Sequence, residues 1–305
     1  METTKVGVVG VGHLGKLHTS LYKEVKDCEI VGIFDVDEKK KEAIANEHGV
    51  TAYPSYEALL NEVDSVNIVT PTVSHYELAG KALERGKHVF IEKPITSTEE
   101  QALELMELSE KNNRVLQVGH IERFNPAILA LDDVTLKPLF IEAHRLASFN
   151  PRGTDVAVIL DLMIHDLDLI LHLVKSEPES IEASGVNVVS SSIDIANARI
   201  RFANGCVANI TASRISAKKM RKMRLFQKNA YISMDFVQGF SEIFYIPAEN
   251  HTPFHDGTLA FSLGQIAEGE NAREIKYNRL ERQNVNPLKK ELSTFIESIR
   301  NDLKP

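Results

Sequence analysis

Val6-Gly7-Val8-Val9-Gly10-Val11-Gly12-His13-Leu14-Gly15 joins a short β-branched run to a glycine-rich turn where a helix would begin. The glycine spacing G-x-G-x-x-G is weak evidence in isolation and much stronger between a strand and a helix. Gly10 permits a tight turn, Gly12 lets the backbone approach a pyrophosphate, and Gly15 lets helix and strand pack closely. The free N–H groups and positive dipole end of the helix then face the phosphates. Gly10, Gly12, His13, Leu14 and Gly15 are therefore expected to line a dinucleotide site.

Outward from this stretch, the first third alternates strand-like runs with helix-like segments. The runs are Val6–Val9, Glu29–Phe34, Ser65–Val69, His88–Ile91 and Val115–Val118. Helical patterns fill Glu38–His48, His75–Arg85 and Glu99–Asn112, with Ser97 and Glu100 reading as a capping box. Such alternation implies parallel βαβ units and a doubly wound sheet. After Val118 the pattern changes. A strand at Leu139–Leu146 precedes a long helix at Val156–Val174. Alternating runs follow near Ile181–Val189, Asp194–Phe202, Cys206–Arg214, Arg221–Phe226 and Tyr231–Phe236, with Asn204-Gly205 as a two-residue hairpin turn. The expected fold is α/β: an N-terminal Rossmann domain over residues 1–122, then an α+β domain over 123–305 with a large, mainly antiparallel open sheet. The final helix, 287–303, opens on Asn286-Pro287 and is a candidate to pack back on the first domain.

The bulk properties narrow the function classes. The chain has 305 residues, too many for one core, and a net charge of −8 that argues against broad nucleic-acid binding. Its two cysteines, Cys28 and Cys206, read as buried thiols of a reducing compartment. The N-terminus lacks a secretory pattern, and the apolar helix carries Asp161, His165, Asp166, Asp168 and His172, so no membrane span is expected and the cytoplasm is the expected location.

Three further features carry chemistry. Asp35 ends the second strand 20 residues beyond Gly15, where a carboxylate accepts from the adenosine ribose and repels a 2′-phosphate. NAD is therefore expected, although Lys39, Lys40 and Lys41 leave NADP open. Lys93 follows the fifth strand and should point into the cofactor crevice, where a partly desolvated amine can exchange a proton; the alternative is a solvated Lys-Glu pair. Asp161, His165 and Asp168 fall within about 60° on one helical face. They read as an acid–base unit, as a structural polar face, or as part of a metal site whose other ligands the sequence does not supply. No metal is expected. A basic cluster, Arg214, Lys218, Lys219, Arg221, Lys222 and Arg224, is either a solvated edge or, with Arg145 and Arg152, an anion site.

Taken together, the chain resembles the glucose–fructose oxidoreductase/inositol dehydrogenase (Gfo/Idh/MocA) family. The resemblance rests on the glycine motif, Thr70-Pro71 with His75, Gly86-Lys87-His88-Val89, Glu92-Lys93-Pro94, Arg123-Phe124-Asn125-Pro126 and Asp161-x-x-x-His165-x-x-Asp168. It implies a nicotinamide-dependent oxidoreductase in which Lys93, His165 and Asp161 form the catalytic set. His165 would act as acid–base on the reacting hydroxyl, with Lys93 bonded to the same oxygen. Thr70, Pro71, His75 and Glu92 would join the cofactor site, and Arg123 and Asn125 the substrate site. The resemblance also implies a homodimer or homotetramer assembled through the second domain's sheet. Met163 and Thr72 depart from the family's frequent glycine and asparagine, which would reshape the pocket.

A narrower resemblance runs through Arg145-Leu146-Ala147, Pro151–Asp155, Leu160–Asp166 and Ser213–Ser216, toward the branch containing UDP-N-acetylglucosamine 3-dehydrogenases. It implies a nucleotide-sugar substrate whose diphosphate meets Arg152 and Arg214. A polyol, inositol or deoxysugar dehydrogenase and a non-catalytic NAD(H)-sensing regulator are the alternatives.

Overall fold

The computed structural model describes residues 3–149, 156–247, 260–266 and 272–303. They form two compact units, one of residues up to Ile121 together with those from Asn286 onward, the other Glu122–Val285.

In unit 1, strands and helices alternate as β1 (Thr4–Val9), α1 (His13–Tyr22), β2 (Cys28–Phe34), α2 (Glu38–His48), β3 (Thr51–Ala52), α3 (Tyr56–Glu62), β4 (Ser65–Ile68), α4 (His75–Glu84), β5 (His88–Glu92), α5 (Glu99–Lys111) and β6 (Leu116–Gly119). All six strands are parallel, in the order β3-β2-β1-β4-β5-β6. The strand order reverses between β1 and β4, which opens a crevice beyond their carboxyl ends. Pleat alternation explains the double winding. Val6 and Val8 on β1 face Tyr22, Val25 and Ile44 from the α1–α2 side. Val9 faces the other way, into Tyr56, Leu59, Leu60, Ala82 and Leu83 of α3 and α4. Helix α5 is capped by Thr98, whose side chain accepts from the N–H of Gln101, one residue later than the Ser97 box expected from sequence.

Unit 2 begins with the short α6 (Pro126–Leu129) and β7 (Phe140–Leu146). A π-helical turn (Ile159–Met163) then leads into α7 (Ile164–Val174). Eight strands follow: β8 (Pro178–Val186), β9 (Ile195–Phe202), β10 (Val207–Ser213), β11 (Met220–Gln227), β12 (Ala230–Asp235), β13 (Phe240–Tyr245), β14 (Phe261–Ile266) and β15 (Arg273–Glu281). They form one nine-stranded sheet with β7, ordered β14-β15-β13-β12-β11-β7-β10-β9-β8 and parallel only between β7 and β10. The last three strands carry no clean alternation signal and were not expected. At Asn204-Gly205 the loop holds three residues. Phe202 donates to the Cys206 carbonyl at 2.9 Å and Gly205 adopts φ +85°, a bulged hairpin rather than a two-residue turn.

One face of this sheet packs on α7, through Ile141, Ala143, Met223, Leu225, Ile232 and Ile243 against Leu169 and Ile170. The opposite face carries an aromatic row. Phe140, Phe226, Tyr231, Phe244 and Tyr277 lie side by side on five adjacent strands, with centroids 5.0–5.8 Å apart.

The last helix, α8 (Pro287–Asn301), belongs to unit 1. Leu288, Leu292, Phe295 and Ile296 join the core on Val6 and Val8, and the Phe295 ring meets Phe90 edge-on at 5.7 Å. Burying one such side chain contributes about 1.5–3 kcal/mol.

Candidate active site

The glycine loop shows which glycines the fold itself requires. Gly10 sits at φ +84°, and a Cβ there would lie 2.7 Å from the Val69 carbonyl oxygen. A Cβ on Gly15 would stand 1.9 Å from the Gly10 oxygen, so α1 and the turn close only without a side chain. Gly12 is different. No heavy atom lies within 4 Å of the position its Cβ would take, and its φ of −61° suits any residue. Protein packing does not account for glycine there, whereas close approach of a pyrophosphate to the backbone does. Helix α1 begins at His13 without a side-chain cap, and His13 and Leu14 are exposed beside the turn. The loop therefore fits a dinucleotide.

Asp35 lies just past β2 and holds the loop from the side. Its carboxylate accepts the Val11 N–H at 2.8 Å with Oδ2 and the Asp37 N–H at 2.9 Å with Oδ1. The lysines that left NADP open divide. Lys41 is buried, its Nζ bonded to Glu38 at 2.7 Å and to the Tyr53 carbonyl at 2.9 Å, while Lys39 and Lys40 stay exposed. The buried lysine is thereby withdrawn from any 2′-phosphate.

Thr70 and Pro71 follow β4, and His75 opens α4. The His75 ring is buried between two carbonyl oxygens, Thr70 at 2.8 Å and Pro94 at 3.0 Å. Glu92 ends β5, and Lys93 follows with a cis bond to Pro94. His18, which sequence reasoning missed, is fully buried on the inner side of α1. Its Nε2 lies 3.2 Å from Glu92 Oε1. Its signal was positional: three residues beyond Gly15, a polar ring on a helix face that must pack on the sheet.

In unit 2 the polar row on the long helix separates into two kinds. Asp161 sits inside the π-helical turn, where the Ile164 N–H reaches back five residues to the Ile159 carbonyl. The α-helical spacing assumed for Asp161 and His165 therefore does not hold, since the wider turn changes their angular relation. Turns of this type recur at functional sites. Asp161 and His165 are each half-buried. Asp168 instead accepts both ends of the Arg123 guanidinium, at 2.9 and 2.7 Å.

Beneath them lies a buried ion cluster. Arg145, 2% exposed, grips Asp166 at 2.8 and 3.0 Å and donates to Glu122 at 2.8 Å. Burial alone would favour a neutral side chain, but Asp166 and Glu122 hold the Arg145 guanidinium charged, above its ordinary range.

Two expected substrate residues are engaged by the protein itself. Asn125 caps α6 by accepting from Ala127, and its amide donates to Glu122 and to the Phe236 carbonyl. Arg214 is 4% exposed and donates to Asp194, Ser192 and the Val156 and Ile193 carbonyls, which pins the 188–194 turn beneath it. Arg145 and Arg214 thus leave the supposed anion site for the interior. Lys222 and Arg224 pair with Asp235 and Glu142 on the sheet surface. Arg152 lies outside the described residues. Among the described residues, no group of three or more His, Cys, Asp or Glu could hold a metal, and no helix is long and apolar enough to cross a membrane.

Comparison with known proteins agrees with this layout. The oxidoreductase family with an NAD-binding Rossmann fold (Gfo/Idh/MocA) matches residues 4–120, and that family's C-terminal domain matches 142–233. UDP-N-acetylglucosamine 3-dehydrogenase of Acidithiobacillus ferrooxidans is 42% identical over 242 residues, covering 79% of this chain and 77% of that protein. A solved structure of that enzyme superposes with a TM-score of 0.86 at 37% identity, covering all of this chain and 91% of the other. The scyllo-inositol 2-dehydrogenase (NAD(+)) of Bacillus subtilis is 28% identical, over 70% of this chain and 68% of that protein. With a glycine loop fitted to a dinucleotide, a carboxylate at the end of β2 and matches in both units, the chain belongs to the Gfo/Idh/MocA family of NAD-dependent oxidoreductases.

Proposed function

We propose that the protein oxidises a secondary hydroxyl of a nucleotide sugar, in the manner of a UDP-N-acetylglucosamine 3-dehydrogenase, with Lys93, His165 and Asp161 handling the proton. The observation that carries the substrate class is 42% identity to such an enzyme over most of both chains, against 28% for an inositol dehydrogenase. NAD, when bound, supplies the hydride acceptor. The chain's own residues do the rest. Gly12 and the α1 N-terminus hold the pyrophosphate, and Asp35 receives the ribose hydroxyls. His165 takes the hydroxyl proton, a role an imidazole within reach of the reacting oxygen can fill. Lys93 bonds the same oxygen, and Asp161 orients the pair.

Asp161 and His165 keep part of their surface, while Asp166 and Asp168 are held by arginines, which supports this choice within the helical row. The partly exposed aromatic row of the large sheet supports assembly into a homodimer or homotetramer, since apolar surface gathered on one face marks an interface. The two unlinked thiols suit a reducing, cytoplasmic setting.

The test is reduced-nicotinamide absorbance on mixing the protein with NAD, UDP-N-acetylglucosamine and a carbonyl trap, beside Lys93→Met. A signal that the variant abolishes is expected. If myo-inositol or scyllo-inositol gives the signal and the nucleotide sugar does not, the inositol branch is the correct one.

A further inference from the structure

We infer that His18 and His75 are positioning residues that fix the tripeptide Glu92-Lys93-Pro94 from both sides. The inference rests on the reading of Lys93 as the amine at the reacting oxygen. Lys93 stands on a strand end, where one bond's rotation would carry its long side chain by several ångströms. Its two chain neighbours are each held by a histidine from a different helix.

On one side, His18 of α1 is fully buried beneath β5, its ring edge against Phe90 at 5.8 Å. Its Nδ1 lies 2.8 Å from the amide nitrogen of buried Asn67 on β4. With the Asn67 amide nitrogen turned toward it, Nδ1 accepts and Nε2 carries the proton. Nε2 lies 3.2 Å from Glu92 Oε1, close enough for charge attraction but out of line for a hydrogen bond. The Glu92 carboxylate folds inward because Gly119 on β6 leaves room: a Cβ there would stand 3.1 Å from it.

On the other side, His75 is 1% exposed and lies between the Pro94 and Thr70 carbonyls, at 3.0 and 2.8 Å; both oxygens accept, so a neutral ring donates to one of them at a time. It thus links the segment after β5 to the segment after β4.

Burying two imidazoles in an apolar core is costly unless their nitrogens are engaged, and a leucine would fill the space at lower cost. The partners explain the residue choice. All lie on the strand-end loops around Lys93 or on the strand beside it. Displacing a reacting group by about 1 Å can reduce rate by roughly two orders of magnitude, which gives such bracing its value.

The two ring positions can be separated by amide substitutions. A glutamine amide reaches as Nε2 does, and an asparagine amide as Nδ1 does. His18→Gln and His75→Asn keep the contact on the Lys93 side, to Glu92 and Pro94. His18→Asn and His75→Gln keep only the contact on the far side. The full-length protein and the four variants would be compared by melting temperature, NADH affinity and turnover of UDP-N-acetylglucosamine with NAD. In the protein without cofactor, reductive methylation of Lys93 would be followed by mass spectrometry.

His18→Asn and His75→Gln are expected to lose roughly tenfold or more in kcat relative to their partners. NADH affinity of the His18 variants should change by less than about threefold, and Lys93 methylation should shift against other lysines in all four. Equal losses within each pair, or unaltered Lys93 methylation in all four, would overturn the inference. Should the His18 variants not fold, Glu92→Gln weakens the same contact from the strand end, and unchanged methylation there counts equally against it. A fully active Lys93→Met would instead sink the reading of Lys93, while the methylation ranking still tests the bracing.

Discussion

The Asp35 carboxylate accepts the backbone N–H of Val11 at 2.8 Å, so the group proposed to receive the adenosine ribose also ties down the glycine loop. The two roles use different properties, an acceptor oxygen and a negative charge. Asp35→Asn removes the charge and keeps one acceptor oxygen, so one of the Val11 and Asp37 N–H groups loses its partner. It is expected to destabilise by about 1 kcal/mol and to lower the NAD-over-NADP preference by about tenfold or more, about 1.4 kcal/mol. Paired kcat/KM values for the two cofactors check this. Asp35→Leu, which removes both, should also weaken NADH binding.

The glycines of the loop should respond differently to the same methyl group. Gly15→Ala places Cβ 1.9 Å from the Gly10 oxygen and should destabilise by about 1–3 kcal/mol or more. Gly12→Ala meets nothing within 4 Å and should melt within about 0.5 kcal/mol of the parent, while its NADH affinity falls at least roughly tenfold. Thermal melts and NADH fluorescence titrations separate the outcomes.

Arg145 neutralises two carboxylates that water does not reach. Arg145→Met leaves Asp166 without its guanidinium and Glu122 with only Asn125 and the more distant Arg221, and should cost about 3–5 kcal/mol. Adding Asp166→Asn and Glu122→Gln should recover a large part of that loss. Denaturant melts of the single and triple variants measure it. A triple variant no more stable than the single one would mean that the cluster matters through shape, not charge.

His88 should make the protein acid-sensitive over a defined window. Burial, and then Arg114, push its ring down from 6.5 to about 4, and its Nδ1 accepts the Val115 N–H at 3.0 Å. A depressed folded-state value means that the neutral ring stabilises the fold above pH 6.5. That contribution is lost as pH falls toward 4. His88→Asn retains an acceptor for Val115 and cannot titrate, so its melting temperature should fall less across this interval. Parallel slopes for the two proteins would refute the assignment.

The first unit was readable from sequence because its signals are local. A glycine spacing, β-branched runs and helix caps each fix a few neighbouring dihedral angles, and they agreed with one another. The boundary at Thr98 differed by one residue, since Ser97 and Thr98 are chemically equal as caps and only the approach of the chain decides. The second unit was harder for physical reasons. Strands β13, β14 and β15 lie toward one end of the sheet, where partial burial blurs the period-two pattern. The π-helical turn adds one residue to a helix without changing its composition, so Asp161 and His165 looked α-helically aligned. Arg214 read as a substrate ligand because an arginine in a basic run carries no mark of burial, and Asn125 because of the motif it stands in. The positions of Asp194 and Glu122 show that the first is held inside and that the second is engaged by its neighbours. His18 had no motif to announce it, and its meaning came from what β4 and β5 bring beside it.

The return of α8 to the first unit has a consequence for the order of events on the ribosome. Residues 122–285, all of unit 2, are translated between β6 and the helix that completes the core on Val6 and Val8. At about 5–20 residues per second the nascent Rossmann sheet waits roughly 8–30 s with one side of that core unfinished. Unit 2, whose strands are contiguous in the chain, has everything it needs before α8 emerges. The N-terminal half of this protein is therefore the last to be finished, and chaperones that act on emerging chains would find their binding surface there.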